Sequence, residues 1–279
     1  SPQWKKFICP VNLFEFKRDI IETATTQLKN ISKPFLKPLL RKLKLTHGVP
    51  DTYNGFGNDV FDKLIDSRPK GKDPKEWRRL IEFFTLTLPE LEGWFSARQC
   101  AELFMQIIEK LKPGSTIVEV GSWKGRSSVF ASRAAEVVDS TLYCVDTWKG
   151  SFAEGADNIT VVEAQKVDVF QVFKNNITRF GCDNVVFCRG ESKEVAKNWS
   201  YGPIDFLFID ASHDYDSVTE DLKAWVPHVK PGGFVCGDDW NHEEKAELKG
   251  SVRQAFQDFF KSNLPNLGIV ERFWAHQVR

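Results

Sequence analysis

Val118-Glu119-Val120-Gly121-Ser122-Trp123-Lys124-Gly125-Arg126-Ser127-Ser128 is the stretch on which the fold turns. A short β-branched run enters a turn with glycines at 121 and 125, and helical spacing begins at Arg126. Gly121 would let a ligand approach the backbone, and the helix N-terminus would offer free N–H groups to an anion. Alone, the same pattern also suits a tight strand-to-helix turn with no ligand.

Outward from this turn the texture is regular. Upstream, Ser96 is placed to cap a helix over 97–111, and Lys112-Pro-Gly-Ser breaks the chain before a strand at Thr116–Val120. Downstream, a helix over 126–138 leads to a strand at Leu142–Val145. A helix over 166–180 leads to a strand at 184–188, and an apolar strand follows at Asp205–Ile209. A helix over 217–229 ends at Lys230-Pro-Gly-Gly, ahead of a strand at Phe234–Gly237 and a helix over 251–262. Short apolar strands alternating with helices predict an α/β fold with a mostly parallel sheet.

Composition bounds the rest. With 279 residues, 42% hydrophobic and 27% charged, the chain is a folded globular protein rather than a disordered one. Its formal net charge is zero, which argues against a nucleic-acid partner. Residues 1–50 nevertheless carry ten Lys or Arg against three Asp or Glu. That excess predicts two parts: a basic helical leader and linker over 1–75, and a mildly acidic domain over 76–279. In the leader, Phe35, Leu36, Leu39, Leu40 and Leu43 share one helical face, which suits packing or peripheral contact with a membrane surface. No apolar run is long enough to span a bilayer. Six cysteines without a CxxC pair fit a reduced, cytoplasmic protein.

Acidic residues stand at the ends of three predicted strands. Asp146 follows the second strand, about 25 residues past the glycines, where ribose hydroxyls are held in nucleotide-binding sheets. Asp210 ends the apolar strand and is followed by His213. Asp238 and Asp239 end the next. If those two strands are neighbours, three carboxylates meet at one rim. They repel unless a cation sits between them, and an all-oxygen set suits Mg²⁺, Mn²⁺ or Ca²⁺.

Glu119-Val-Gly121, Asp146 and the Pro231-Gly-Gly turn resemble a class I S-adenosylmethionine (SAM)-dependent methyltransferase. Asp210, His213, Asp238 and Asp239 bring the likeness to the metal-dependent small-molecule O-methyltransferases. Glu92-Gly-Trp-Phe and Ile209-Asp-Ala-Ser-His-Asp-Tyr resemble the sugar O-methyltransferases of macrolide and aminocoumarin biosynthesis. The likeness spans roughly residues 90–279. It implies a Rossmann-like doubly wound sheet with an N-terminal helical extension. It also implies that Gly121, Gly125 and Ser127 line the methionine end of SAM, that Glu119 and Ser122 help bind the cofactor, that Asp146 binds the ribose and that Ser192 lies near the adenine. Asp210, Asp238 and Asp239 would hold Mg²⁺ or Mn²⁺, Asp210 also touching cofactor and reaction centre. His213 would be the general base, with its neighbour Asp214 as the rival.

The implied reaction is methylation of a hydroxyl on a sugar or glycoside. A catechol-like phenol, or a SAM-fold module without turnover, are the alternatives. The chain could form a homo-oligomer or belong to a larger multidomain protein. Trp123, Trp148 and Trp240 are candidate walls for the acceptor, and His242 lies near Asp239. Only Leu267–Arg279 remains for the two antiparallel strands that usually end this fold, which predicts an abbreviated hairpin.

Overall fold

A computed structural model describes residues 58–241 and 250–279. The basic leader over 1–50 and His242 lie outside these residues. The described residues begin with helices α1 (Asn58–Asp66), α2 (Pro74–Thr87) and α3 (Ala97–Lys110). Helix α1 lies inside the stretch expected to be linker and loops. Its Leu64 is fully buried in one cluster with Ile81, Phe84 and Phe104, and its carbonyl accepts from Trp77 Nε1 at 2.9 Å. One buried leucine in a Gly/Asp-rich stretch has too little periodicity to read as a helix. Helix α3 starts as expected, with a capping box in which Ser96 and Gln99 satisfy each other's backbone N–H groups.

The sheet follows: β1 (Thr116–Val120), α4 (Arg126–Val137), β2 (Thr141–Asp146), α5 (Ile159–Ala164), α6 (Val169–Arg179), β3 (Val185–Arg189), α7 (Ser192–Lys197), β4 (Ile204–Ile209), α8 (Tyr215–Trp225), β5 (Val229–Gly237), α9 (Ser251–Phe260), β6 (Gly268–Val270) and β7 (Phe273–Gln277). Strand order is β3-β2-β1-β4-β5-β7-β6, parallel except for β7 and β6. The doubly wound, Rossmann-like expectation holds, and the terminal hairpin is indeed short. Two features escaped the sequence. Helices α5 and α7 are single-turn pieces of six residues, and Pro231-Gly232-Gly233 lies within β5 rather than forming the turn before it. There Gly232 N donates to Val278 O and Val278 N to Gly233 O, so the glycines carry sheet pairing to the chain end.

Both sheet faces are covered. One cluster packs α2, α3, α4 and α6 against Ile117, Leu142, Phe206 and Phe208; the other packs α8 and α9 against Val118, Val120, Leu207 and Val235. Burial on both faces is why the strands read as continuous apolar runs. The parallel order places the carboxyl ends of β1, β2 and β4 side by side, with β5 beside β4. The reversal of winding at β1 and β4 opens a crevice there. No helix among the described residues is long and apolar enough to cross a membrane.

Arg126, in the first turn of α4, ties the segment before α3 to this crevice. It is 4% exposed and donates from Nε to Phe95 O (2.5 Å) and from Nη1 to Leu88 O (2.8 Å) and Leu91 O. Arg126→Met keeps the reach and removes every donor. Three carbonyls then lose a charged partner, at about 1 kcal/mol or more each. Urea denaturation is expected to show a loss of about 3 kcal/mol. An unchanged midpoint would mean that the Leu88–Phe95 segment is held by other contacts.

Candidate active site

The crevice is a cavity of about 490 Å³ over the strand ends. Its floor is the turn after β1. Gly121 has φ +93°, and a Cβ there would overlap the carbonyl of Asp210. So Gly121 is required by the passage of the β4 end across β1, more than by approach of a ligand. Gly125, also at positive φ, caps α4 without a side-chain bond, and its Cβ would crowd Phe173. It faces the core and not the cavity. Glu119 likewise does not line the cavity. It is fully buried and accepts hydrogen bonds from Ser122 Oγ (2.7 Å), Ser127 Oγ (2.6 Å) and Ser128 Oγ. Burial pushes its carboxyl up while those hydroxyls pull it down. Of the residues expected to bind the cofactor around this turn, Gly121, Ser122 and Ser127 line the cavity, whereas Glu119 and Gly125 do not.

Asp146 closes β2 against the same turn. Its Oδ2 accepts from the backbone N–H of Ser122 (2.9 Å) and Trp123 (2.8 Å), and its Oδ1 from that of Trp148 (2.6 Å). Oδ2 is filled by its two amides, Oδ1 keeps lone-pair capacity for a hydroxyl donor, and the residue lines the cavity. The three amides fix the carboxylate in place before any ligand arrives.

At the β4–β5 end the acids converge. Asp210, His213 and Asp239 each offer one ligand atom, and these atoms lie within 4.8 Å of one another. His213 Nε2 is 2.8 Å from Asp239 Oδ2 and 3.6 Å from Asp210 Oδ1. Asp239 holds φ +59°, a left-handed conformation that Asx residues tolerate best. Its neighbours pin it there: Trp240 N donates to Arg272 O, and Trp274 Nε1 to Asp238 O. Asp238 lines the same cavity but stands outside the compact trio. It accepts from Gln99 Nε2 and has Arg272 Nη2 at 3.7 Å from Oδ2.

The electrostatics follow from crowding. Burial, then Asp239 and Asp210, push Asp238 well above the usual carboxylate range. Burial also raises Asp210, against a hydrogen bond from His213. Burial would lower His213, but the Asp239 carboxylate and hydrogen bonds to Asp210, Asp239 and Glu154 outweigh it and hold the imidazole well above its ordinary range. Carboxylates so placed want positive charge. Arg272 Nη1, 3.0 Å from Asp239 Oδ1, supplies part of it. A hard divalent cation fits the oxygen-rich donor set, with Asp210, Asp239 and the nearby Asp238 as the residues that could hold it.

Glu154 is the residue that sequence reasoning missed. It ends a single 3₁₀ turn at Phe152–Glu154, far from any strand end. Its Oε1 accepts both the backbone N–H of His213 (2.8 Å) and its Nδ1 (3.0 Å), and its Oε2 accepts from Asn158 Nδ2 (2.9 Å). A carboxylate can only accept, and carboxylates face both ring nitrogens, Glu154 at Nδ1 and Asp239 at Nε2, so both nitrogens carry protons in this arrangement. The rival base, Asp214, caps α8 by accepting from Ser217 N at 3.0 Å and does not line the cavity.

Ser192 lies at the opposite end of the cavity from His213, beside Gly190 and Asp221. Among the tryptophans, Trp123 lines the cavity as expected. Trp148 and Trp240 are 3% and 2% exposed and belong to the core, Trp148 packing on Phe170 and Phe173. Trp94, in the Glu92-Gly-Trp-Phe segment, lines the cavity instead and is 44% exposed.

Residues 118–240 match a family model described as a methyltransferase domain. A Streptomyces olivaceus protein, 8-demethyl-8-(2,3-dimethoxy-alpha-L-rhamnosyl)-tetracenomycin-C 4'-O-methyltransferase, is 30% identical over 197 residues, which are 65% of this chain and 70% of that protein. The structure of the O-methyltransferase NovP is similar in fold, with a TM-score of 0.50 and 20% identity over 66% of this chain and 80% of that one. So is cofactor-bound Rv0187 from MTB, at TM-score 0.50 and 18% identity over 83% and 99%. A glycine turn below the crevice, a carboxylate at the end of β2 and this likeness agree: the chain belongs to the class I SAM-dependent methyltransferases, in their O-methyltransferase branch.

Proposed function

We propose that this enzyme methylates a hydroxyl of a sugar or glycoside, with Mg²⁺ or Mn²⁺ held by Asp210, Asp239 and Asp238. The observation that carries the reading is the meeting of Asp210, His213 and Asp239 at one end of the cofactor cavity, with His213 fixed by Glu154. The rhamnosyl group in the name of the Streptomyces relative favours a sugar over a phenol.

A sugar hydroxyl is a weak nucleophile near neutral pH. When bound, the cation supplies Lewis acidity that lowers the acceptor's pKa. The chain's own residues do the rest. Asp146 and the turn amides orient SAM. Glu154 presents His213 with Nε2 towards the acceptor. His213, once its Nε2 proton has been lost, would take the hydroxyl proton there as the oxygen bonds to the methyl carbon and the carbon–sulfur bond breaks. A methyl ether, S-adenosylhomocysteine and a protonated imidazole result, so charge and atoms balance. Trp94 and Trp123, with ring centroids 6.4 Å apart at the cavity, offer apolar faces to a sugar ring.

The reading extends to a domain over 76–279, carried behind a basic leader over 1–75, in a cytoplasmic enzyme. Calorimetric titration of SAM into chelator-treated protein, then of Mg²⁺ into the complex, tests the core of it. Micromolar SAM binding followed by a separate Mg²⁺ event is expected. SAM binding with no metal event would remove the metal from the mechanism.

A further inference from the structure

Arg272 stands where the terminal hairpin meets the acids. The β6–β7 turn delivers it there: Glu271 takes φ +56°, in the left-handed region, and its Oε2 accepts from Ser96 Oγ at 2.5 Å. The carbonyl of Arg272 accepts from Trp240 N at 3.0 Å, which fixes its backbone against the end of β5. From that anchor the guanidinium spans two carboxylates. Nη1 is 3.0 Å from Asp239 Oδ1, and Nη2 is 3.7 Å from Asp238 Oδ2. The other two oxygens are also met. Gln99 Nε2 donates to Asp238 Oδ1, and His213 Nε2 is 2.8 Å from Asp239 Oδ2. All four oxygens of Asp238 and Asp239 thus face a nitrogen donor, and two of them face Arg272.

These donors differ in charge. Gln99 is neutral, and the charge of His213 comes and goes with its proton. A guanidinium keeps its charge in a protein, so Arg272 is the permanent cation of the group. Asp238 and Asp239 are 5% and 4% exposed, and carboxylates so buried are costly without a cation beside them. Yet the oxygens that Arg272 meets belong to the set that a divalent cation needs. Two positive charges brought to one poorly solvated pair of acids repel each other more strongly than they would in water.

We propose that Arg272 is the resident counter-cation of this site and competes with the divalent cation for Asp238 and Asp239, so that it sets the metal affinity. This rests on the metal reading above. Arg272 neutralises the acids in the metal-free protein, and metal binding works against that contact. It lines the cavity and its side chain is 24% exposed, so its head group has water to turn to when the acids are taken. A purely structural role predicts the opposite sign: an arginine that only holds the acids in place would, when removed, loosen the ligands and weaken metal binding.

The test is calorimetric titration of Mn²⁺ into the chelator-treated full chain, saturated with S-adenosylhomocysteine and without acceptor. Arg272→Met keeps the reach and removes the charge. It is expected to bind Mn²⁺ about 10-fold tighter than the unaltered protein, or more. Arg272→Gln is neutral but still a donor. It should tighten binding in the same direction, and it carries the test if the methionine variant does not fold. Arg272→Lys keeps the charge and should tighten binding least. Thermal unfolding gives a second reading: metal-free Arg272→Met should melt below the parent, and the same Mn²⁺ concentration should raise its Tm further. Mn²⁺ binding that appears only in the neutral variants also supports the proposal. Equal or weaker binding in both neutral variants overturns it, while binding by the parent upholds the metal site. Absence of Mn²⁺ binding in the parent and every variant overturns the metal reading and the proposal with it.

Discussion

Asp239→Ala is expected to lower methyl transfer by about 10³-fold at saturating SAM, with SAM affinity changed only a few-fold. The loss corresponds to about 4 kcal/mol of transition-state stabilisation, within the several kcal/mol that a well-placed metal supplies. Asp239 is the acid most exposed to the change, because it faces His213 Nε2 at 2.8 Å and Arg272 Nη1 at 3.0 Å at once. Removing it leaves both cations without their nearest carboxylate and takes one oxygen from the donor set. Alanine also sits poorly at φ +59°, which adds roughly 1–2 kcal/mol of strain to the folded state. Asp239→Asn separates the two effects. Asparagine tolerates the left-handed region and keeps a carbonyl oxygen towards the site, but loses the charge. Its activity should recover in part as Mg²⁺ is raised, while the alanine variant stays low throughout. Turnover against Mg²⁺ concentration reads the difference. An alanine variant with the parent's Mg²⁺ response would place the metal elsewhere.

The parts of this site visible in the sequence share one property: they sit at the ends of regular elements. Asp146, Asp210, Asp238 and Asp239 each close a short apolar strand, and such strands stand out because both faces of the sheet are covered. The glycine turn is equally legible, but its sequence does not show which of its residues face the cavity. Glu119 and Gly125 fit the motif, yet packing decides their roles: three serine hydroxyls surround the Glu119 carboxylate, and Phe173 lies where a Cβ on Gly125 would go. A motif gives positions along the chain and not the direction each side chain faces.

Residues that reach the site from irregular segments left no such signal. Glu154 lies on one 3₁₀ turn, 59 positions from His213. Gln99 reaches Asp238 from the capping box of α3, and Arg272 reaches both terminal acids from the β6–β7 turn. Asp221 is one acid among several on an amphipathic helix, and only the packed structure shows it turned inward onto Ser192. Trp148, a candidate wall, packs in the core, and Trp94 lines the cavity, for the same reason. Exposure in the fold is decided by the Arg126 anchor and the aromatic cluster around Phe170 and Phe173, neither of which is periodic in sequence.

Glu154 and His213 together yield the most informative kinetics. His213→Ala removes the group proposed to take the acceptor proton, and turnover is expected to fall by about 10²–10⁴-fold. SAM binding should persist, since Asp146 and the turn amides are bonded to one another and not to His213. Glu154→Gln is a subtler change. A glutamine can present its carbonyl to Nδ1–H or its amide to an unprotonated Nδ1, so the tautomer is no longer dictated. Roughly a 10–100-fold loss in kcat is expected, in the range seen when a partner that orients an active-site histidine is altered. The pH dependence gives the sign. Glu154 is among the groups that raise His213. Without its charge the imidazole should lose its proton more readily, so the alkaline-going rise in activity should begin at lower pH in Glu154→Gln than in the parent. His213→Ala should lose that rise altogether. An unchanged pH profile in Glu154→Gln, or parental turnover in His213→Ala, would shift the proton acceptor away from His213 and back to the acids that surround it.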